Sequence, residues 1–286
     1  MFKGSLHYGA KVKIVRNNAH KYPIIAMCKI LEISTSGYYS YKEPINVKDE
    51  HTEKIINIFN QNYQAYGTRR IQAVLRSEGI NLSRRRIARI MASEGLVSTY
   101  TVQKFKPERD AVNKSDVKNE VDRDFDNREK YEVIVSDLTY VKVGMRWCYV
   151  CSIVDLHNRE IIATSCGPRK NGQLVKKAFA QIKINLNNIR YFHTDRGSEF
   201  DNKLIDDILK VFGIKRSLSK PGSPYDNAVA EATFKSLKTE FIYPRFFDNL
   251  KQLENQLNAY VWWFNNERLH SSLNYTAPKQ WIQQTI

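Results

Sequence analysis

The chain is 286 residues long, with 45 Lys+Arg against 30 Asp+Glu and a formal net charge of +15. That length suits about two domains, and the basic excess points to a polyanionic partner or a solubilising surface without bearing on fold. No apolar run approaches the roughly 18 residues that span a bilayer, so an integral membrane protein is excluded; the start has no signal-peptide pattern, and four cysteines are too few for a disulfide scaffold and suit a reducing cytoplasm.

In chain order, residues 1–47 form an N-terminal segment in which 22–42 reads as one short helix ending near Gly37. Residues 48–98 read as a compact all-helical module. Ile55, Ile58 and Phe59 mark its first helix, and Ile71, Val74 and Leu75 its second. Gly79 is placed to end that second helix. Ser83 is placed to cap a third, which begins Arg84-Arg85-Arg86 and ends near Gly95. Short helices around a Gly-containing turn make a helix-turn-helix pattern. Residues 67–110 carry ten basic against four acidic side chains. A charged helix face is usually only solvated, but this Arg-rich one favours phosphate contact through Arg69, Arg70, Arg84, Arg85, Arg86 and Arg89. Residues 99–130 are polar and aperiodic and read as a linker.

Residues 131–245 read as an α/β unit, followed by a C-terminal helical extension over 246–286. Three strands are expected at about 132–143, 146–156 and 159–166, then a helix over 172–186. A strand ending at Asp195, a helix over 199–212 and a short strand at 214–218 complete the alternation. Antiparallel strands followed by strand–helix alternation imply a mixed sheet with helices on its faces. Cys148 and Cys151 form a formal CxxC pair, but period two sends them to opposite faces. With no second pair and no His partners they read as core thiols rather than a zinc site. Asp155 reads as a turn cap.

Three acids stand out: Asp137 within Val133-Ile134-Val135-Ser136-Asp137-Leu138-Thr139-Tyr140, Asp195 within His193-Thr194-Asp195-Arg196-Gly197-Ser198, and Glu231 where a helix begins after Asp226-Asn227. Any one alone would be a turn or capping residue. Two carboxylates on strands and one on a helix are oxygen donors suited to a pair of hard divalent cations, which about 3.5–4 Å apart clamp the two oxygens of a phosphoryl transfer. Glu231, Lys235 and Lys238 share one helix face. The lysines are either phosphate ligands or, for Lys235, half of an ordinary i,i+4 pair. His270 either reaches the site or DNA, or packs in a turn.

These motifs, together with Tyr225-Asp226-Asn227-Ala228-Val229-Ala230-Glu231 and Leu237-Lys238-Thr239-Glu240, resemble the integrase-core transposases of bacterial insertion sequences over residues 22–281. The similarity is to the second-reading-frame product of two-frame elements. It implies a ribonuclease-H-like mixed sheet with flanking helices, preceded by the helix-turn-helix-like module. It implies that Asp137, Asp195 and Glu231 are catalytic and hold two Mg²⁺ ions, with Mn²⁺ substituting. Tyr225, Lys235 and Lys238 are then expected DNA contacts. It further implies DNA partners (terminal repeats and target), a homo-oligomer on DNA, joining through a circular intermediate, an upstream-frame helix-turn-helix protein or frameshift fusion, no membrane, and a cytoplasmic, nucleoid-associated location. The sequence departs from the family at Glu199-Phe200, where Gln-Tyr is usual, and at Val133-Ile134-Val135, where an aromatic is usual. Two rival readings are a structure-selective nuclease, separated by a strand-transfer assay, and a non-catalytic DNA-binding regulator, separated by metal-independent binding without cleavage.

Overall fold

The computed structural model describes residues 7–41, 49–101, 128–219 and 228–285. The chain divides into two compact units, residues 1–50 and 51–286.

The first unit holds three helices, α1 (Tyr8–Asn18), α2 (Ile24–Ile30) and α3 (Thr35–Ser40), around Val12, Val15, Cys28, Ile33 and Tyr38. The single helix expected over 22–42 is two. Ser34 starts the second by accepting a hydrogen bond from the Gly37 backbone N–H at 3.0 Å, so Gly37 lies inside α3 rather than ending a helix. Helix α1 buries only two residues, too sparse a pattern to stand out in the sequence.

The second unit begins with α4 (Thr52–Gln61), α5 (Thr68–Ser77) and α6 (Arg84–Ser93). The local chemistry sets their ends. Gly79 takes φ +78° and Gly95 φ +65°, a conformation that costs glycine little. Ser83 Oγ accepts from the Arg86 N–H at 3.2 Å. Ile55, Ile58, Phe59, Ile71, Leu75, Ile87 and Ile90 close the module's interior.

The sheet follows: β1 (Val133–Val143), β2 (Arg146–Asp155), β3 (Ile161–Gly167), β4 (Tyr191–Thr194) and β5 (Lys215–Leu218), in the order β3-β2-β1-β4-β5. The first three strands are antiparallel; β1–β4 and β4–β5 are parallel. Both faces are covered, which is why the strands read as apolar runs rather than strict alternation. One face carries α7 (Gly172–Phe179) and α8 (Lys203–Val211). The other carries α9 (Ala228–Ser236), its π-helical continuation Leu237–Ile242, and α10 (Leu250–Asn266); α11 (Pro278–Thr285) ends the described chain. Cys148 belongs to one core cluster and Cys151 to the other, and all four cysteines are free.

Helix α7 stops at Phe179, well short of its expected end at 186. Beyond it a turn closes with the Ile182 N–H on the Phe179 carbonyl, and Ile182, Ile184 and Leu186 pack on the core without continuing the helix. Helix α8 starts at Lys203 rather than 199, because Asn202 caps it through the Ile205 N–H at 3.2 Å.

The helical module shares its core with the sheet unit. Tyr63 stacks near Trp263 and Tyr260 of α10, with ring centroids 4.5 and 5.4 Å apart. The Trp263 indole N–H donates to Asn62 at 3.3 Å, and the Leu269 N–H donates to the Tyr66 hydroxyl at 2.8 Å. The aromatic run of α10, legible only as an amphipathic helix, is the seam between the two.

Asp155 is fully buried at the end of β2 and accepts N–H groups from His157 and Tyr131, both at 3.2 Å. Burial pushes its carboxyl up to about 7, with those two N–H bonds opposing. A carboxyl raised in the folded state stabilises fully below its unfolded value of 3.8, and that contribution is lost as pH rises to about 7. Asp155→Asn should flatten that slope. Denaturant unfolding at several values between pH 4 and 8 would read the difference, expected to be a few kcal/mol at most; parallel curves for parent and variant would refute the burial effect.

Candidate active site and nucleic-acid surface

Parallel pairing aligns Val133 with Tyr191, Ile134 with Phe192 and Val135 with His193. Two residues further along both chains stand Asp137 and Asp195, so the register carries them to facing positions with the same side-chain parity. That parity is shared by Val133, Val135, Val141 and Tyr191, all in the core on the α9 and α10 face. Burial, then the nearby Asp195 carboxylate, pushes Asp137 up to about 7. The N–H of Leu138, 2.7 Å away, and the Lys238 ammonium oppose this. Asp195, at the exposed end of β4, accepts the Gly197 N–H at 3.1 Å.

Two side chains without a role in the sequence reading join this pair. Glu199 is buried, lies close enough to raise Asp137 further, and is paired with Lys170 at 3.2 Å. Gly197 makes room for it: a Cβ there would sit 2.5 Å from Glu199 Oε1. Ser152 pairs directly with Asp137 across β1 and β2, and its buried hydroxyl has no hydrogen-bond partner among the described residues.

Helix α9 packs on β1. Ala230, Phe234 and Leu237 face the core, and the neighbouring stripe is Glu231, Lys235 and Lys238. Glu231 is exposed in the first turn, Lys235 is exposed, and Lys238 is half-buried beside Asp137. Among the described residues no group of three His, Cys, Asp or Glu side chains is drawn together tightly enough to hold a metal ion. Tyr225 and the rest of 220–227 lie outside the described residues.

After Ser236 the helix becomes π-helical, with the Tyr243 N–H bonded to the Lys238 carbonyl at 2.9 Å. The wider turn buries five of its six residues, including Glu240. Arg268 donates to both Glu240 carboxylate oxygens at 2.7–3.0 Å. The Tyr100 and Tyr260 hydroxyls donate at 2.6 and 2.9 Å. Burial works against the Glu240 charge, yet Arg268 overrules it and holds the carboxyl below its usual range. This network ties the end of the helical module to the helix carrying Glu231.

Of the arginines expected on DNA, Arg69, Arg84, Arg85 and Arg89 are exposed and Arg86 is half-buried. Arg69 and Arg84 line one open cleft of about 520 Å³ with Arg76. Arg70 turns inward instead, over the rings of Tyr66 and Tyr100 at 5.5 and 5.8 Å, and reaches to 3.9 Å from Glu240.

A mixed five-stranded sheet of this order, covered by helices on both faces and preceded by a helical module packed on it, has the ribonuclease-H-like fold. The family description "Integrase core domain" matches residues 127–224 and again 212–278, and "HTH-like domain" matches residues 47–104. The chain is 28% identical over 279 residues to the putative transposase InsK of insertion sequence element IS150 from Escherichia coli (strain K12), covering 96% of this chain and 98% of that protein. It is 30% identical over 264 residues to the uncharacterized 31 kDa protein of insertion element IS600 from Shigella sonnei, covering 88% of this chain and 96% of that one. Among solved structures, the HTLV-2 integrase catalytic core domain in complex with magnesium matches with 21% identity and a TM-score of 0.40, over 50% of this chain and 91% of that one. The chain belongs to the integrase-core transposases of bacterial insertion sequences, and it is a DNA transposase. No helix among the described residues is long and apolar enough to cross a membrane.

Proposed function

We propose that the chain cleaves DNA at the ends of its insertion sequence and joins the freed 3′ ends to a second phosphodiester, with Asp137, Asp195 and Glu231 as the catalytic ligands of two Mg²⁺ ions. The observation that carries this is the facing placement of Asp137 and Asp195 on adjacent parallel strands. The donor set is all oxygen, which suits Mg²⁺, with Mn²⁺ able to substitute. An Asp137 carboxyl raised by burial and then by Asp195 is relieved by a cation, and the buried Ser152 hydroxyl, on the strand position paired with Asp137, has no hydrogen-bond partner among the described residues. When bound, the ions supply Lewis acidity and neutralise the charge of the attacking and leaving oxygens.

Asp137 and Asp195 hold the site from the sheet, and Glu231 completes it from α9. Lys238 and Lys235 hold the DNA backbone from the same helix stripe, and Tyr225 is a further DNA contact. In the first step a water oxygen bonds to the scissile phosphorus as the bond to the 3′ oxygen breaks, freeing a 3′-hydroxyl. In the second that hydroxyl oxygen attacks another phosphorus and displaces a second 3′ oxygen. The first joining links the two ends of one element through a circular intermediate. The acting species is a homo-oligomer on DNA, either alone or with an upstream-frame helix-turn-helix protein or as a frameshift fusion, in the cytoplasm and associated with the nucleoid.

Incubating the protein with labelled element ends and Mn²⁺, resolved on a denaturing gel, tests the reading. Cleaved and joined strands are expected. Cleavage without joining of a pre-cut end would make the protein a nuclease, and binding without cleavage a regulator. The arginines that open α6 carry a separate expectation for DNA binding. Replacing Arg84, Arg85 and Arg86 with Ala should lower the salt dependence of duplex binding by about 0.9 in log–log slope for each phosphate that is no longer neutralised. An unchanged slope would reduce them to a solvated face.

A further inference from the structure

Helix α9 has a third face. Val229, Ala232, Thr233 and Ser236 lie opposite the Glu231 stripe and form one wall of an open cavity of about 330 Å³. The remaining wall is Arg70, Arg159, Arg268, His270, Ser271 and Ser272. Among the described residues, three guanidiniums line this space and no carboxylate does. Glu240 sits behind the wall, bound by Arg268 at 2.7 Å and 3.9 Å from Arg70.

His270 fixes the polarity of the cavity further. Its Nε2 lies 3.0 Å from Arg268 Nη1. A guanidinium only donates, so Nε2 accepts and the ring proton is on Nδ1, which leaves a donor. Burial, then Arg268, Arg70 and Arg159, holds the imidazole well below its ordinary value, so it stays neutral. The two serine hydroxyls are exposed at the mouth. The wall therefore offers guanidinium, imidazole N–H and hydroxyl donors around an open space, the chemistry that receives a phosphate.

We propose that this cavity binds a backbone phosphate of the same DNA strand that reacts at the carboxylates on the far side of α9, a few nucleotides from the scissile phosphate. The placement rests on the reading of Asp137, Asp195 and Glu231 given above. A helix with its side chains is about 10–12 Å across, and one strand of a duplex carries a phosphate about every 3.4 Å along the axis. A strand crossing the carboxylates thus brings another phosphate to the cavity within about three or four nucleotides. Arg70 comes from the helical module, Thr233 and Ser236 from the catalytic helix, and His270 to Ser272 from the C-terminal segment. One phosphate would engage all three, and so couple end binding to the position of Glu231.

The test uses the full chain, a labelled 30-base-pair duplex, and EDTA, so that binding is read without metal or catalysis. Ser272→Asp sets a carboxylate at the cavity mouth of an exposed position and leaves the arginine network intact. It should weaken binding and lower the salt slope by about one unit. Asn187→Asp adds the same charge at another exposed position and should change neither. Circular dichroism melting checks that both variants fold, and Ser271→Asp serves in place of Ser272→Asp if that variant does not. Ser272→Asp binding DNA with the parent's affinity and slope, or with only the change seen for Asn187→Asp, would overturn the proposal. Failure of the catalytic reading shows separately, as absence of cleavage in Mn²⁺ with binding intact.

Discussion

Asp137→Asn, Asp195→Asn and Glu231→Gln should each abolish cleavage and joining while leaving duplex binding in EDTA unchanged. Metal coordination supplies several kcal/mol of transition-state stabilisation, so losing one ligand should cost about a thousandfold or more in rate. The three should differ in stability, and that difference separates ligands from structural residues. Asp137 is pushed up to about 7 by burial and by Asp195, so its charge is a liability in the metal-free protein at pH 8. Asp137→Asn removes that repulsion and should melt higher than the parent without metal. Glu231 is exposed, and Glu231→Gln should melt with the parent. Added Mg²⁺ should raise the parent's melting temperature and not that of Asp137→Asn, because only a site with its ligands intact gains stability by binding. A variant among the three that joins ends at near the parent rate in Mg²⁺ would remove that residue from the ligand set.

The parts of the fold that the sequence discloses are those fixed by local chemistry or by burial of whole strands. Ser83 and Gly79 bound their helices through a cap and a positive φ, and both are readable from residue type alone. Val133-Ile134-Val135 reads as a strand because both faces of the sheet are covered. Asp137 and Asp195 are legible as a pair because Ser136-Asp137-Leu138-Thr139-Tyr140 and His193-Thr194-Asp195-Arg196-Gly197-Ser198 resemble the family's motifs; their register comes only with the fold. What stays hidden depends on partners far away in sequence. Glu199 reads as an unexplained extra charge; only the fold brings Lys170 to it. Arg70 sits beside Arg69 in an Arg-rich helix and looks like another ligand on the same outer face, yet helical rotation turns it towards Tyr100 and Glu240, into the wall of the cavity beside α9. The end of α7 is illegible because Ile182, Ile184 and Leu186 extend an apolar pattern without extending the helix. The π-helical turn has no sequence marker at all, and it is what brings Glu240 inside.

Glu240→Met or Arg268→Met alone should cost about 3–5 kcal/mol, while the double variant should recover most of that loss. Both side chains are buried, at 0% and 2% exposure. Removing either leaves the other's charge uncompensated in the interior, whereas replacing both with apolar groups of similar volume is often close to neutral. The singles differ in what they strand. Glu240→Met leaves Arg268 with only neutral hydrogen-bond partners among the described residues, Ser236, Tyr100 and His270. Arg268→Met leaves Glu240 with the Tyr100 and Tyr260 hydroxyls and Arg70 at 3.9 Å, so it should be the milder of the two. The network joins the helical module's Tyr100 to the catalytic helix and the C-terminal segment. A recovered double variant should therefore fold and bind DNA but join ends more slowly, since Tyr100, Ser236 and Glu231 are no longer held in one arrangement. Denaturant unfolding of the four proteins gives the coupling energy directly, and a joining assay on the stable double variant reads the positioning role apart from stability. Arg268→Met costing under about 1 kcal/mol would show the pair to be solvated and its buried geometry wrong. A double variant that joins at the parent rate would confine the network to stability alone.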